Sequence, residues 1–91
     1  MAQFLIECVR RDQKGVILQV GIDGYLNDVE KIASSILGGS QNEYYVLTPD
    51  KRHRVKVHPK KRQDSGRLYL TTSPDGREPN NLDSLQECMY V

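Results

Sequence analysis

Val29, Ile32, Ala33, Ile36 and Leu37 recur at i, i+3, i+4, i+7 and i+8, which draws one apolar stripe along a helix and leaves the rest of its surface polar. Gly38 and Gly39 supply a stop. Asn27, with Glu30 three positions on and Asp28 beside it, resembles an N-terminal cap with acids in the first turn. We therefore expect a helix over residues 27–37 that presses Ile32, Ile36 and Leu37 onto another layer. A one-sided helix this short holds only when its stripe is covered. The apolar residues elsewhere sit in short β-rich runs, so the cover is a sheet.

Those runs set the rest of the fold. Residues 4–10 are short and β-rich, and the polar loop from Asp12 to Gly15 turns them into a hairpin with residues 16–22. In that second strand Val16, Leu18, Val20 and Ile22 alternate and are expected to face the core, and Asp23-Gly24 ends it. Residues 43–48 read as a third strand. Either Tyr44 with Val46 or Tyr45 with Leu47 makes an acceptable inner set. Pro49-Asp50-Lys51 is a turn, and residues 53–58 are a fourth strand with Val55 and Val57 inward and Arg54 and Lys56 outward. Residues 59–66 hold no apolar side chain and read as a mobile basic loop before a last strand at 67–71. The order is ββαβββ: a small α+β domain spanning 1–91, with about five strands in one sheet, antiparallel throughout, and one helix on its face. Residues 72–91 are a turn, Ser73-Pro74-Asp75-Gly76, and a pinned tail. There Asn80 or Asn81 should satisfy backbone groups, and one helical turn should press Leu82 and Leu85 onto the core.

With 91 residues the chain is one domain with a modest core. It has no apolar run long enough for a membrane span and no leader-like start, so we expect a cytoplasmic protein. In that compartment Cys8 and Cys88 are expected to be thiols and to serve as small buried hydrophobes. The net charge of +1 hides a segregation. Residues 51–62 carry seven of the thirteen Lys and Arg and no acid, while the other six basic residues face all twelve acids, so a +7 segment sits in a −6 remainder.

Cys8-Val9-Arg10-Arg11-Asp12, Val20-Gly21-Ile22-Asp23-Gly24-Tyr25, Tyr44-Tyr45-Val46, and Asp75-Gly76 with Asn80-Asn81-Leu82 and Leu85 before Cys88 together resemble a family of small bacterial and phage proteins of unknown function. That family is marked by a Cys-x-Arg-Arg-Asp opening and an Asp-Gly, Asn-Asn-Leu, Leu-Pro-x-Cys ending. Here Gln86 stands at the Pro position, and Tyr25 replaces an aromatic that is often Trp. The resemblance covers nearly the whole chain. It implies a single domain and transfers no activity or catalytic residue.

The residues themselves argue for binding over catalysis. His53 and His58, five apart on the expected fourth strand, fall on opposite faces and do not share a metal, and the two cysteines lack zinc-site spacing. Gly38-Gly39 follows a helix, and no phosphate-loop pattern exists. We expect no enzyme, no cofactor and no metal. The remaining chemistry is anion binding by Arg52, Arg54, Lys56, Lys60, Lys61 and Arg62, with Tyr45 or Tyr69 on the open sheet face as a stacking surface for nucleic acid or a nucleotide. The alternative is a protein-protein interaction module or small regulator acting on a protein partner.

Overall fold

A computed structural model describes residues 2–73 and 80–89. The expected Ser73-Pro74-Asp75-Gly76 turn lies, from Pro74 onward, outside the described residues. The described residues form eight short strands and one helix: β1 Gln3–Ile6, β2 Cys8–Arg11, β3 Ile17–Ile22, β4 Tyr25–Asp28, α1 Val29–Leu37, β5 Glu43–Leu47, β6 Arg54–Lys56, β7 His58–Lys61 and β8 Leu68–Thr71, followed by a 3₁₀ turn at Asn81–Ser84. They form three small sheets, β1-β5-β6, β2-β3-β4 and β7-β8. The mixed α+β class holds, whereas the single five-stranded sheet does not. Two expected strands are each divided between two sheets. The first breaks at Glu7, whose amide still donates to the Gly21 carbonyl at 2.9 Å, and the other breaks at Val57, whose amide donates to the Tyr44 carbonyl at 2.8 Å. The pairing is also not antiparallel throughout. β1 runs parallel to β5, because two hairpins and the helix intervene and bring the chain back in the same direction.

The alternation expected for the second strand fails at Leu18, which is 41% exposed while Val20 and Ile22 are buried. A bulge is the cause. Arg10 pairs with Gln19 and Arg11 with Ile17, so Leu18 is the extra residue, and the inward phase passes to Ile17, which packs against the core. The expected end at Asp23-Gly24 is instead a tight hairpin. Ile22 pairs with Tyr25, and both turn residues have positive φ, 53° at Asp23 and 83° at Gly24. Asn27 is consequently in β4, and α1 starts two residues later than expected. Asp28 sits at its cap position without a capping hydrogen bond, its carboxylate accepting instead from Gln19 Nε2 at 3.0 Å.

α1 buries Val29, Ile32 and Ala33, and Ile36 packs half-buried beside them. Leu37, expected in the core, is 60% exposed. It stands about 80° round the helix from Val29, on the last turn. Beyond it Gly39 takes φ 101° and donates to the Ile36 carbonyl, and Ser40 donates to Ser35, closing the helix as the double glycine predicted. The core joins Ile32 and Ala33 to Ile6, Val9, Val20 and Val46 of the sheets and to Val57, Leu70 and Leu82.

Among the described residues, the tail is held at Asn80, Leu82 and Cys88. Asn80 Oδ1 accepts from the amides of Leu82 and Thr72, each at 3.1 Å, and Leu82 is buried with Leu85 packed half-buried beside the core. Replacing Asn80 by Ala should cost about 1 to 3 kcal/mol, because it strands the part-buried Thr72 amide and uncaps the turn. A urea titration that moves by less than a tenth of the total would show that water replaces the side chain.

Further on the tail lies along β2. Val9 donates to the Gln86 carbonyl at 3.0 Å, Cys88 donates back to Val9 at 2.9 Å, and Cys8 and Cys88 form a disulfide with their Cα atoms 5.0 Å apart. The expected thiols are thus replaced by a covalent latch across 80 positions of sequence. No helix among the described residues is long and apolar enough to cross a membrane.

Candidate anion-binding surface

The basic segment is spread over a turn and two strands. At the turn, Asp50 accepts from the Thr48 hydroxyl and, at 3.0 Å, from the Arg52 amide, and these donors hold its carboxyl below the usual range. Arg52 is thereby carried on an ordered but exposed turn. Register then sorts the next residues. Leu5, Tyr45 and Lys56 lie across from one another on β1, β5 and β6, with Leu47 opposite Arg54. Tyr44 turns the other way, stacks on Phe4 with ring centroids 5.2 Å apart and packs against the core, so the inner set is Tyr44 with Val46. Outside, the Arg54 guanidinium stands 5.1 Å from the centre of the Tyr45 ring. Lys56 Nζ is 3.2 Å from Glu43 Oε2 and pulls the Glu43 carboxyl below its ordinary value.

The expected loop over 59–66 begins later than its composition suggests. Pro59, Lys60 and Lys61 belong to β7, opposite Leu70, Tyr69 and Leu68 of β8. Proline lacks only an amide donor and is tolerated at a sheet edge. Arg62 follows directly, its guanidinium 4.9 Å from the centre of the Tyr69 ring. The expected site residues therefore divide. Arg54 and Lys56 share the outer sheet face with Tyr45, and Arg62 meets Tyr69 at the far end of the same ribbon. Lys60 and Lys61 are exposed between them.

Tyr69 opens onto a groove of about 570 Å³ between β2 and β3, the start of α1, and the β7-β8 hairpin. Ile17, Val29 and Leu68 give it an apolar wall; Arg10, Arg11, Lys31, Arg62 and Arg67 line it together with Asp28 and Glu30, an excess of three positive charges. Most of these ions already have partners. Arg67 is 3.6 Å from Glu30, Lys31 is 3.7 Å from Asp28, and Arg11 binds Glu87 at 3.2 Å and the Asp83 carbonyl at 3.0 Å. Arg10 and Arg62 have no carboxylate partner among the described residues. Sequence reasoning placed Arg62 and Tyr69 but missed Arg10 and Arg67, which lie outside the basic segment and reach it only through the fold. His53 lies ahead of β6 and His58 opens β7, and no cluster of His, Cys, Asp and Glu that could hold a metal occurs among the described residues.

The family described as "Protein of unknown function (DUF3892)" matches residues 5–86. The chain belongs to that family. The match spans the second half of β1, the other strands, the helix and the Asn80-Asn81-Leu82 turn, and it ends just short of the disulfide's second cysteine. No curated protein and no solved structure matches this DUF3892 domain.

Proposed function

We propose that this domain is a non-catalytic binding module for an anionic ligand, nucleic acid or a nucleotide, held through the β6-β7 ribbon and its basic residues Arg52, Arg54, Lys56, Lys60, Lys61 and Arg62. The observation that carries the reading is the repeated pairing of arginine with a tyrosine face, Arg54 on Tyr45 and Arg62 on Tyr69, one at each end of the ribbon. Phosphates pair with such cations, and flat bases stack on the same aromatic and guanidinium planes. The proposal carries with it the cytoplasmic location expected from the sequence. The Cys8–Cys88 bridge is the feature that tells against that location, since cytosolic thiol systems keep cysteines reduced.

A single-stranded oligonucleotide titrated at two salt concentrations tests the reading. Affinity should fall steeply as salt rises, because each phosphate contact releases counterions. Changing Arg54 and Lys56 to Ala should weaken binding several-fold at low salt while moving stability by no more than about 0.5 kcal/mol. Absence of binding at low salt retires the proposal.

A protein partner is the second reading. It is favoured by β4, an outermost strand whose first residue, Tyr25, is 75% exposed. Light scattering and capture with the Tyr25→Ser variant as control distinguish it.

A further inference from the structure

In the run Cys8-Val9-Arg10-Arg11-Asp12, three of the polar or reactive side chains have visible structural duties. Cys8 is bonded to Cys88, and Arg11 holds the carbonyls of Asp83 and Leu85 together with Glu87. Asp12 closes the β2-β3 turn by accepting from the amides of Lys14 and Val16 at 2.8 and 3.0 Å. Arg10 has none of these. Its side chain is exposed, makes no hydrogen bond or ion pair with any described residue, and lies on the groove that Arg62 enters from the opposite hairpin. The Arg62 guanidinium in turn lies over the Tyr69 ring, which holds its plane without neutralising its charge.

We propose that this groove binds a nucleoside phosphate, with the phosphate between Arg10 and Arg62 and the base against Ile17, Val29, Leu68 and Tyr69. The inference rests on the anion-binding reading and names the ligand and the seat. Three properties select that ligand. The guanidinium is a planar fork that pairs bidentately with phosphate oxygens, and the two arginines left without carboxylates are the ones placed to do so. The volume of about 570 Å³ lies in the range of organic-ligand sites, far above what a bare phosphate fills, and its wall is apolar. At the β4-α1 junction on the same groove, Asp28 and Glu30, paired with Lys31 and Arg67, present carboxylate oxygens that accept hydrogen bonds from sugar hydroxyls. A sulfate or a simple carboxylate would leave the wall and the acids unused.

The experiment is calorimetry at low salt with adenosine 5′-monophosphate, set beside inorganic phosphate, adenosine and a short single-stranded oligonucleotide. The nucleotide should bind one to one, and phosphate or adenosine alone should bind at least about ten-fold more weakly, since each supplies half of the contacts. Arg10→Gln and Arg62→Gln should each weaken the nucleotide about ten-fold or more while the melting temperature stays put, because both side chains are exposed. Lys51→Gln, at the exposed turn between β5 and β6 and among neither the groove residues nor the ribbon residues named above, should leave nucleotide affinity unchanged. Equal affinity for phosphate and nucleotide would reduce the groove to a bare anion site and overturn the assignment. So would a nucleotide affinity indifferent to Arg10 and Arg62. An oligonucleotide that binds through Arg54 and Lys56 while the mononucleotide does not bind at all would overturn the groove assignment and leave the ribbon proposal standing.

Discussion

Replacing both Cys8 and Cys88 by alanine should lower the stability of this domain by about 3 to 4 kcal/mol, with a fall in melting temperature of roughly 15 to 25 °C, and a reductant should do the same to the unaltered protein. The bridge spans 80 positions, so in the chain-entropy account it removes from the unfolded ensemble nearly all conformations in which the two ends are apart. The folded state loses little in exchange, since both side chains are small and the tail keeps its two backbone hydrogen bonds to Val9. The effect therefore acts chiefly through the unfolded chain. Equal melting temperatures with and without reductant, with thiol titration confirming reduction, would show that the latch does not contribute to stability.

That latch was legible in the sequence only as two cysteines. Nothing local pairs residues so far apart. What brings them together is the tail running parallel to β2, with Val9 opposite Glu87, a long-range pairing that no periodicity reports. The helix was legible because its signal is local: a stripe at helical spacing and a double glycine both act within one element. Its start was misplaced by competition. Asp23-Gly24 is the strongest short signal for a tight hairpin, and a hairpin there draws Asn27 into β4 before the helix can use it as a cap. The sheet was the least legible part. A bulge at Leu18 and breaks at Glu7 and Val57 reassign which neighbour each half-strand pairs with, and strand propensity says nothing about that choice.

The candidate site divides along the same line. Arg54, Lys56 and Arg62 stand out as a run of charge, and alternation alone sends Arg54 and Lys56 outward. Whether Tyr44 or Tyr45 joins them depends on the parallel register of β1 against β5, which sets Tyr44 beside Phe4 and leaves Tyr45 under Arg54. Arg10 belongs to another hairpin altogether. Its neighbours Cys8, Arg11 and Asp12 have visible tasks in the fold, and only with those tasks known does Arg10 stand out as the residue left over.

Leu82→Ala should cost about 3 to 4 kcal/mol. Leu82 is 1% exposed, joins the same cluster as Ile6, Val9 and Val57, and is delivered there by the turn that Asn80 caps. Truncation removes the transfer energy of the buried carbons and leaves a cavity that a tail held at Asn80 and at Cys88 cannot readily close. Leu85→Ala, at a half-buried position one turn on, should cost clearly less, and Leu37→Ala, on the exposed end of α1, should stay within about 0.5 kcal/mol. Urea denaturation of the three variants at unchanged slope ranks them. If Leu82 ranks with Leu37, the tail is a strap laid over a core complete without it. If Leu82 ranks first, the tail is part of the core, and combining Leu82→Ala with loss of the disulfide removes most of the roughly 5 to 15 kcal/mol typical of a domain. The double variant should then be largely unfolded at the temperature where each single variant still folds.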